Sequence, residues 1–386
     1  MPDGTERTQI TVLPAIDEIP AAEWDACAGD GDPFLSHAFL AALERSGSAG
    51  AEAGWAPQHL VIEDGDGRAA ACAPLYLKNH SYGEYVFDWS WAEAYHRAGG
   101  RYYPKLQCAV PFTPATGRRL LLRPGAAEKL EVALMGGMVE LARQHGASSV
   151  HVTFPTRDQW RRFGQQGWLL RLGQQYHWEN AGYRDFDDFL DALSSRKRKT
   201  LRKERREVVE AGIRFRVLSG ADIQEAHWDT FFRFYLDTHD RKWGQNYLNR
   251  KFFSLLGEAM ADRVVLVLAE ADGRAVAGAL NLRGGDTLFG RYWGCRESYK
   301  FLHFETCYYQ AIDYAIAHGL RWVEAGAQGP HKIQRGYLPR ATYSAHWIAD
   351  PGLREAISRY LDHERPAVEA EIAELAQRSP YKRDDG

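Results

Sequence analysis

Hydrophobic and polar positions along this chain follow two periods, and the order in which the periods occur repeats. Residues 61–77, VIEDGDGRAAACAPLYL, run as an apolar stretch, a DG turn and a second apolar stretch, which predicts an antiparallel hairpin. Residues 267–282, VLAEADGRAVAGALNL, follow the same plan, with DGR triplets at 66–68 and 272–274. ELARQHGASSVHVTF (140–154) and DYAIAHGLRWVEAG (313–326) each read as a helix that leads into a strand. Gly146 and Gly319 stand at the helix ends, where a left-handed residue is needed and glycine adopts it cheaply. A third pair, RRFGQQGWLLRLGQQYHWEN and IQRGYLPRATYSAHWIAD, predicts a short helix, a glycine and a strand carrying His-Trp at 177–178 and 346–347.

The three landmarks are offset by 206, 173 and 169 residues, so the halves are tandem copies and the first carries an insertion between its hairpin and its helix. That insertion is the aromatic segment at about 78–120. Ahead of each hairpin lie helical patterns: SHAFLAALERSG (36–47), with Ser36 as N-cap, and in the second half residues 222–243 and 250–262. Each half thus reads strand, two helices, hairpin and third strand, helix, strand, short helix, strand. An α/β fold with a mixed sheet and helices on both faces is expected. The expected domains are 1–185 and 186–386, the second opening with a basic helix and ending in a C-terminal helix.

Composition narrows the class. With 386 residues, 45% hydrophobic and 26% charged, the chain suits two soluble globular domains. A net charge of −3 argues against a surface built throughout for nucleic acid, and no helix-turn-helix pattern is evident. The five cysteines are scattered, with no CxxC pair, and the 14 histidines form no HExxH, so neither a disulfide framework nor a metal site is expected. Cys295 and Cys307 read as small buried residues rather than nucleophiles. The absence of a signal-peptide pattern or a spanning apolar run makes a cytoplasmic protein the expectation.

Several stretches carry a family resemblance: FLSHAFLAALERSGS, LKNHSYGEYVFDWSWAEAYHRAG, YYPKLQCAVPFTPATG, LSSRKRKTLRKERR, HFETCYYQAIDYAI and EAGAQGPHKIQRGYLP. The sequence resembles, over roughly 30–380, the Fem-like (FemAB-like) N-acyltransferases of the GNAT superfamily. These are bacterial proteins of two tandem GNAT-like acyltransferase units, distantly related to the peptidoglycan aminoacyl transferases. The resemblance implies a sheet in which two neighbouring parallel strands splay to admit an acyl donor. Pro330 stands where relatives more often carry an acid, so no acidic role carries over to that place.

Three clusters are candidates for the chemistry. In HFETCYYQAIDYAI, helical spacing sets Glu305, Tyr308, Tyr309 and Ile312 on one face, with Thr306, Gln310 and Asp313 elsewhere. Glu305 is either a helix-capping acid or the general base that takes a proton from an attacking amine, and His303 can share that work. In EAGAQGPHKIQRGY, the small residues allow close backbone approach, and His331, Lys332 and Arg335, with Gln328, are either solvated groups on a tight strand-to-helix turn or a floor for a substrate phosphate or carboxylate. In the insertion, Asp88, Trp89, Tyr95 and His96 mark either an acceptor pocket or a packing plug. Tyr292 and Trp293, in the strand FGRYWGC, are placed to line the donor channel.

The run SSRKRKTLRKERREV holds eight of the 48 Lys and Arg between 194 and 206. Ser194 or Ser195 caps a helix that Gly212 ends, and Leu193, Leu201 and Val208 form a narrow apolar stripe. Arg196, Arg198, Lys199 and Arg202 lie in the part without balancing acids, which reads either as phosphate contact at the basic wall of an acyltransferase cleft or as a solvated helix face. Neither half shows the glycine-rich loop that usually grips coenzyme A, which favours an aminoacyl-tRNA over an acyl-coenzyme A as co-substrate without deciding between them. The expected function is N-acyl or aminoacyl transfer from an activated ester or thioester to a small-molecule or peptide amine. No tightly bound cofactor, no metal and no DNA partner is expected, and tRNA enters as the donor's carrier. The alternative is a non-catalytic GNAT-like protein that binds a peptide, a cell-wall precursor or RNA.

Overall fold

The computed structural model describes residues 8–241, 246–326 and 329–382. It divides into two compact units. The first takes the chain up to Gly173 and then Thr342–Ala367; the second takes Gln174–Ala341 and the chain from Val368 onward. Compactness therefore cuts the chain elsewhere than at the expected 185/186 boundary. Each crossing falls inside a regular element: strand Leu169–Glu179, strand Leu338–Ile348 and helix Pro351–Gln377. Hydrophobic patterning marks where an element begins and ends, and carries no signal for a division within one.

The first unit opens with β1 (Thr11–Leu13), α1 (Ala21–Ala28) and α2 (His37–Arg45). Ser36 caps α2 as its position predicts, its hydroxyl accepting from the Phe39 amide at 3.2 Å. After β2 (Trp55–Pro57), β3 (His59–Glu63) and β4 (Ala69–Ala73) form the DGR hairpin. Pro74 interrupts its second arm, and β5 (Leu75–Lys78) pairs instead with β2. The aromatic segment follows, containing α3 (Trp89–Arg97), β6 (Lys105–Cys108) and, just past it, β7 (Leu121–Leu122). The expected insertion is thus part sheet: β6 lies between β5 and β8 (Ser149–Thr153). α4 (Lys129–Gln144) ends before Gly146, whose φ is +60° as the C-terminal signal requires. α5 (Arg157–Gln165) and β9 (Leu169–Glu179) complete the first copy. Leu60, Leu75, Leu106, Met138, Val150 and Phe163 form the centre of this unit's core.

The second unit repeats the order. It begins with α6 (Phe186–Ala192), α7 (Ser195–Glu210), β10 (Arg214–Leu218), α8 (Glu225–Arg241) and α9 (Arg250–Met260). The hairpin β11 (Val264–Ala271) and β12 (Arg274–Gly284) leads into β13 (Thr287–Cys295). A helical stretch then runs from α10 (Leu302–Phe304) through a π-helical turn, Glu305–Tyr309, into α11 (Gln310–Ala317). β14 (Trp322–Glu324), a 3-10 turn at Pro330–Arg335, β15 (Leu338–Ile348) and α12 (Pro351–Gln377) follow. The strands lie in the order β10-β11-β12-β13-β14, and the end of β9 pairs with β14 from His177 to Glu179. Trp178, Phe189, Leu201, Ile312, Val323 and Tyr337 are fully or almost fully buried at the centre of this unit. No helix among the described residues is long and apolar enough to cross a membrane.

Candidate active site

β13 and β14 run parallel in register over three residue pairs only, from Thr287 opposite Trp322 to Phe289 opposite Glu324. β14 then ends while β13 continues along β12 to Cys295, so the sheet parts beyond Phe289. Gly290 stands at the parting, where a Cβ would come within 3.2 Å of the Glu324 carbonyl. At the same level the β12–β13 register slips: Leu280 faces Tyr292 and Asn281 faces Gly290, leaving Arg291 as the extra residue of a β-bulge. A cavity of about 90 Å³ fills the gap, its walls including Asn281, Gly290, Tyr292, Trp293 and Cys307. It shares Arg291, His303, Tyr308 and Ala325 with an open cleft of about 1030 Å³ on the same unit. That cleft adds Gly326, Gly329, His331, Lys332, Glu371 and Arg378 to its lining.

Five residues expected at the site therefore converge here: Tyr292, Trp293, His303, His331 and Lys332. Gln328 lies outside the described residues. The His303 ring meets the edges of Trp293 and Tyr308, with ring centres 5.2 and 5.3 Å away. Tyr308 Oη and His331 Nε2 are 3.1 Å apart, within hydrogen-bond reach. Partial burial, reinforced by Arg335 and Lys332, pushes the His331 imidazole below its ordinary 6.5, so it is neutral at pH 7. Burial also pushes the Lys332 ammonium down to about 8. Its Nζ donates to the carbonyls of Ala325 at 2.6 Å and Gly326 at 3.0 Å, holding the chain that leaves β14. Cys307, expected to be buried, is half-buried and lines the inner cavity.

Glu305 is placed differently from the expectation. It is 3% exposed and is not among the residues lining the cleft. Its Oε1 accepts from Arg205 at 3.0 Å and from Gln310 at 2.8 Å, while Oε2 has no partner among the described residues. Burial raises its carboxyl above the usual range against the opposing pull of Arg205. The π turn explains why α-helical spacing misplaced its neighbours. The wider i-to-i+5 hydrogen-bonded turn brings Gln310 beside Glu305, and Arg205 reaches Asp313 at 2.6 Å on the same side.

The basic helix α7 supplies that arginine, and the acid before it has an equally specific place. Glu204 is buried and accepts from Arg335 at 2.8 Å and from the Tyr309 hydroxyl. The Arg335 guanidinium also lies over the Phe304 ring, 3.4 Å from its centre. α7 thus clamps both the π turn and the 3-10 turn that carries His331 and Lys332. Leu201 and Val208 are buried on it as the apolar stripe predicts, and Gly212 ends it with φ +79°. Ser194 occupies the N-cap without a side-chain cap; its amide donates to the Pro380 carbonyl at 2.9 Å. Arg198 and Arg202 pair with Asp191 and Asp187 of the acidic helix α6, each at 3.1 Å. Arg196 and Lys199 are exposed and make no ion pair among the described residues.

In the first unit the four residues expected around an acceptor pocket are not gathered. Asp88 is buried, accepting from Lys105 and, at 2.7 Å, from Tyr102. Burial alone would raise its carboxyl, but the Lys105 ammonium outweighs that and holds it well below the carboxylate range. Trp89 is 40% exposed and meets Tyr82 edge-on. Tyr95 packs against the cluster of Trp91, Tyr102 and Leu361, and His96 faces solvent on α3. The spacing of this segment gave no sign that two sheet lysines, Lys78 and Lys105, draw its acids Glu84 and Asp88 inward. No group of three His, Cys, Asp or Glu among the described residues could hold a metal ion.

A family model for FemAB-like proteins, described as peptidoglycan biosynthesis/recognition, matches residues 15–383. The chain belongs to the FemAB-like family. Among solved structures, this FemAB-like chain is similar to FemX, with 12% identity, a TM-score of 0.55, and coverage of 91% of this chain and 100% of FemX. It is similar to L-PGS from Bacillus licheniformis, with 12% identity and a TM-score of 0.51 over 86% of this chain and 98% of that one. It is also similar to the C-terminal domain of a putative lysylphosphatidylglycerol synthetase from Agrobacterium fabrum. That match has 10% identity and a TM-score of 0.54, over 89% of this chain and 95% of the other. No curated protein sequence matches. At these identities the structural matches speak for the fold, a mixed α/β architecture like that of FemX.

Proposed function

We propose that this FemAB-like protein is an N-acyltransferase and that the parting of β13 and β14 is where an activated acyl group meets an amine. The observation that carries the reading is the gap itself. A splayed parallel pair with a β-bulge beside it ends in a small inner cavity, and titratable groups stand at its mouth. An ammonium is not a nucleophile, so an acceptor amine must first lose a proton. Neutral His331 and the His303 ring at the cleft wall are the groups placed to receive it. The nitrogen then forms its bond to the donor carbonyl, and the C–O or C–S bond to the carrier breaks. Backbone N–H groups on β13 at the bulge are suited to the intermediate's oxyanion. The Tyr308 phenol, kept protonated by burial, can donate to the leaving oxygen or sulfur.

In this proposal Glu305 acts through the π turn that it anchors, as a positioning residue. The family description supports a peptidoglycan precursor as the amine acceptor. Likeness to a putative lysylphosphatidylglycerol synthetase, whose product name denotes an aminoacyl ester, supports an aminoacyl donor. Acyl-coenzyme A and aminoacyl-tRNA donors, each offered with amine acceptors and followed by mass spectrometry, test the proposal. A covalent amide product from either donor class is expected. Binding without product in both classes contradicts transferase activity.

A further inference from the structure

The inner cavity carries a hydrogen-bond acceptor with a fixed direction, and this inference rests on the transferase reading above. Asn281 is 2% exposed, yet it lines the cavity. Its Nδ2 donates to the carbonyl of Val265 at 3.1 Å and to that of Ala279 at 3.5 Å. Backbone carbonyls only accept, so the amide nitrogen must face them and the oxygen cannot exchange places with it. Oδ1 is thereby aimed toward the parting; a Cβ built on Gly290, itself a wall residue, would lie 3.5 Å from it. The β-bulge between Leu280 and Asn281 is the local device that sets this amide at the parting.

The rest of the wall restricts what Oδ1 can meet. About 90 Å³ admits only a short acyl group. Ala279, Leu280, Tyr292, Trp293 and Cys307 supply mostly apolar surface. Among the described residues lining the cavity, the charged or titratable nitrogen groups are Arg291 and His303, and none is a carboxylate. An ammonium at the inner end of the acyl group would find no counter-charge there, whereas a hydroxyl at that end needs only an acceptor. We infer that Asn281 Oδ1 reads a hydroxyl on a short acyl group and is the residue that sets donor specificity.

The test compares donors that differ by one hydroxyl on the same carrier: 3-hydroxypropionyl- against propionyl-coenzyme A, and seryl- against alanyl-tRNA. With whichever carrier supports transfer, wild-type protein is expected to favour the hydroxylated donor roughly tenfold or more in kcat/KM, because a buried acceptor left unpaired penalises the other donor. In Asn281→Ala that preference is expected to fall below about twofold while the plain acyl group is still transferred. The wild-type comparison needs no variant, so a poorly folding Asn281→Ala leaves the inference testable. Equal rates for the two donors in wild type overturn the inference and leave the transferase reading standing. No transfer from any donor overturns both.

Discussion

Glu305 shows what a single residue's surroundings do to its role. As a sequence position it is an acid at the start of a helix, with an imidazole two residues earlier; in the fold it is 3% exposed and tied to Arg205 and Gln310. Glu305→Gln keeps an oxygen for both donors, so turnover is expected to stay within about tenfold of wild type, checked by steady-state kinetics. His303→Ala and His331→Ala together remove both imidazoles from the cleft, and turnover is expected to fall by about 10² to 10⁴ with the melting temperature little changed. A larger loss from Glu305→Gln than from the histidine pair would reverse these roles. Arg205→Gln leaves the Glu305 and Asp313 carboxylates without their shared cation, and an urea titration is expected to show a loss of about 2 kcal/mol. The histidines were legible because unusual residue types stand out at any spacing. Arg205 was not, since its partners lie 100 and 108 residues away.

At the scale of elements, α7 joins two functions that its composition alone could not separate. Its second half is structural: Glu204 and Arg205 hold the two turns behind the cleft. Its first half carries the expected phosphate-contact residues, and there Asp191 and Asp187 of α6 pair with Arg198 and Arg202. Those pairs are largely exposed and add little stability, but they occupy two of the four cations. Arg196→Gln with Lys199→Gln is therefore expected to weaken binding of a phosphate-bearing donor and to flatten its salt dependence more than Arg198→Gln with Arg202→Gln. Equal salt slopes in the two double variants would remove the distinction. The helix itself was readable from its cap, stripe and terminal glycine. The π turn was not: ETCYY fits an α-helix as well, and nothing in its residue types marks the wider turn.

At the scale of the whole molecule, the repeated order of periods carried most of the fold. Hairpin, glycine-terminated helix and His-Trp strand reappear in both copies because each reports a local physical constraint. The division into compact units was hidden, since it depends on long-range contacts made by continuous strands. Both copies also bury histidines. Burial pushes His151 and His177 down to about 3, and His346 well below its ordinary range. Unfolded imidazoles titrate near 6.5. Between pH 6.5 and about 3 the unfolded chain thus binds protons that the folded chain does not. Their contribution to stability is present above pH 6.5 and is lost on acidification through that window. Melting temperature is expected to drop between pH 7 and pH 4.5, and less steeply in His151→Asn with His177→Asn. The same slope in the variant would contradict this origin.

The central claim is that chemistry happens where β13 and β14 part, and Gly290 gives direct access to it. A side chain there would crowd the Glu324 carbonyl, Asn281 Oδ1 and the Ala325 Cα at 3.2, 3.5 and 3.7 Å. The decisive measurement is the rate of amide product formation, by mass spectrometry, in wild type and in Gly290→Val, with circular dichroism confirming that the variant is folded. A folded variant whose transfer rate falls by about 10² or more is the expected result, because a blocked parting cannot hold the acyl group in reacting geometry. Undiminished transfer by folded Gly290→Val would place the reaction elsewhere.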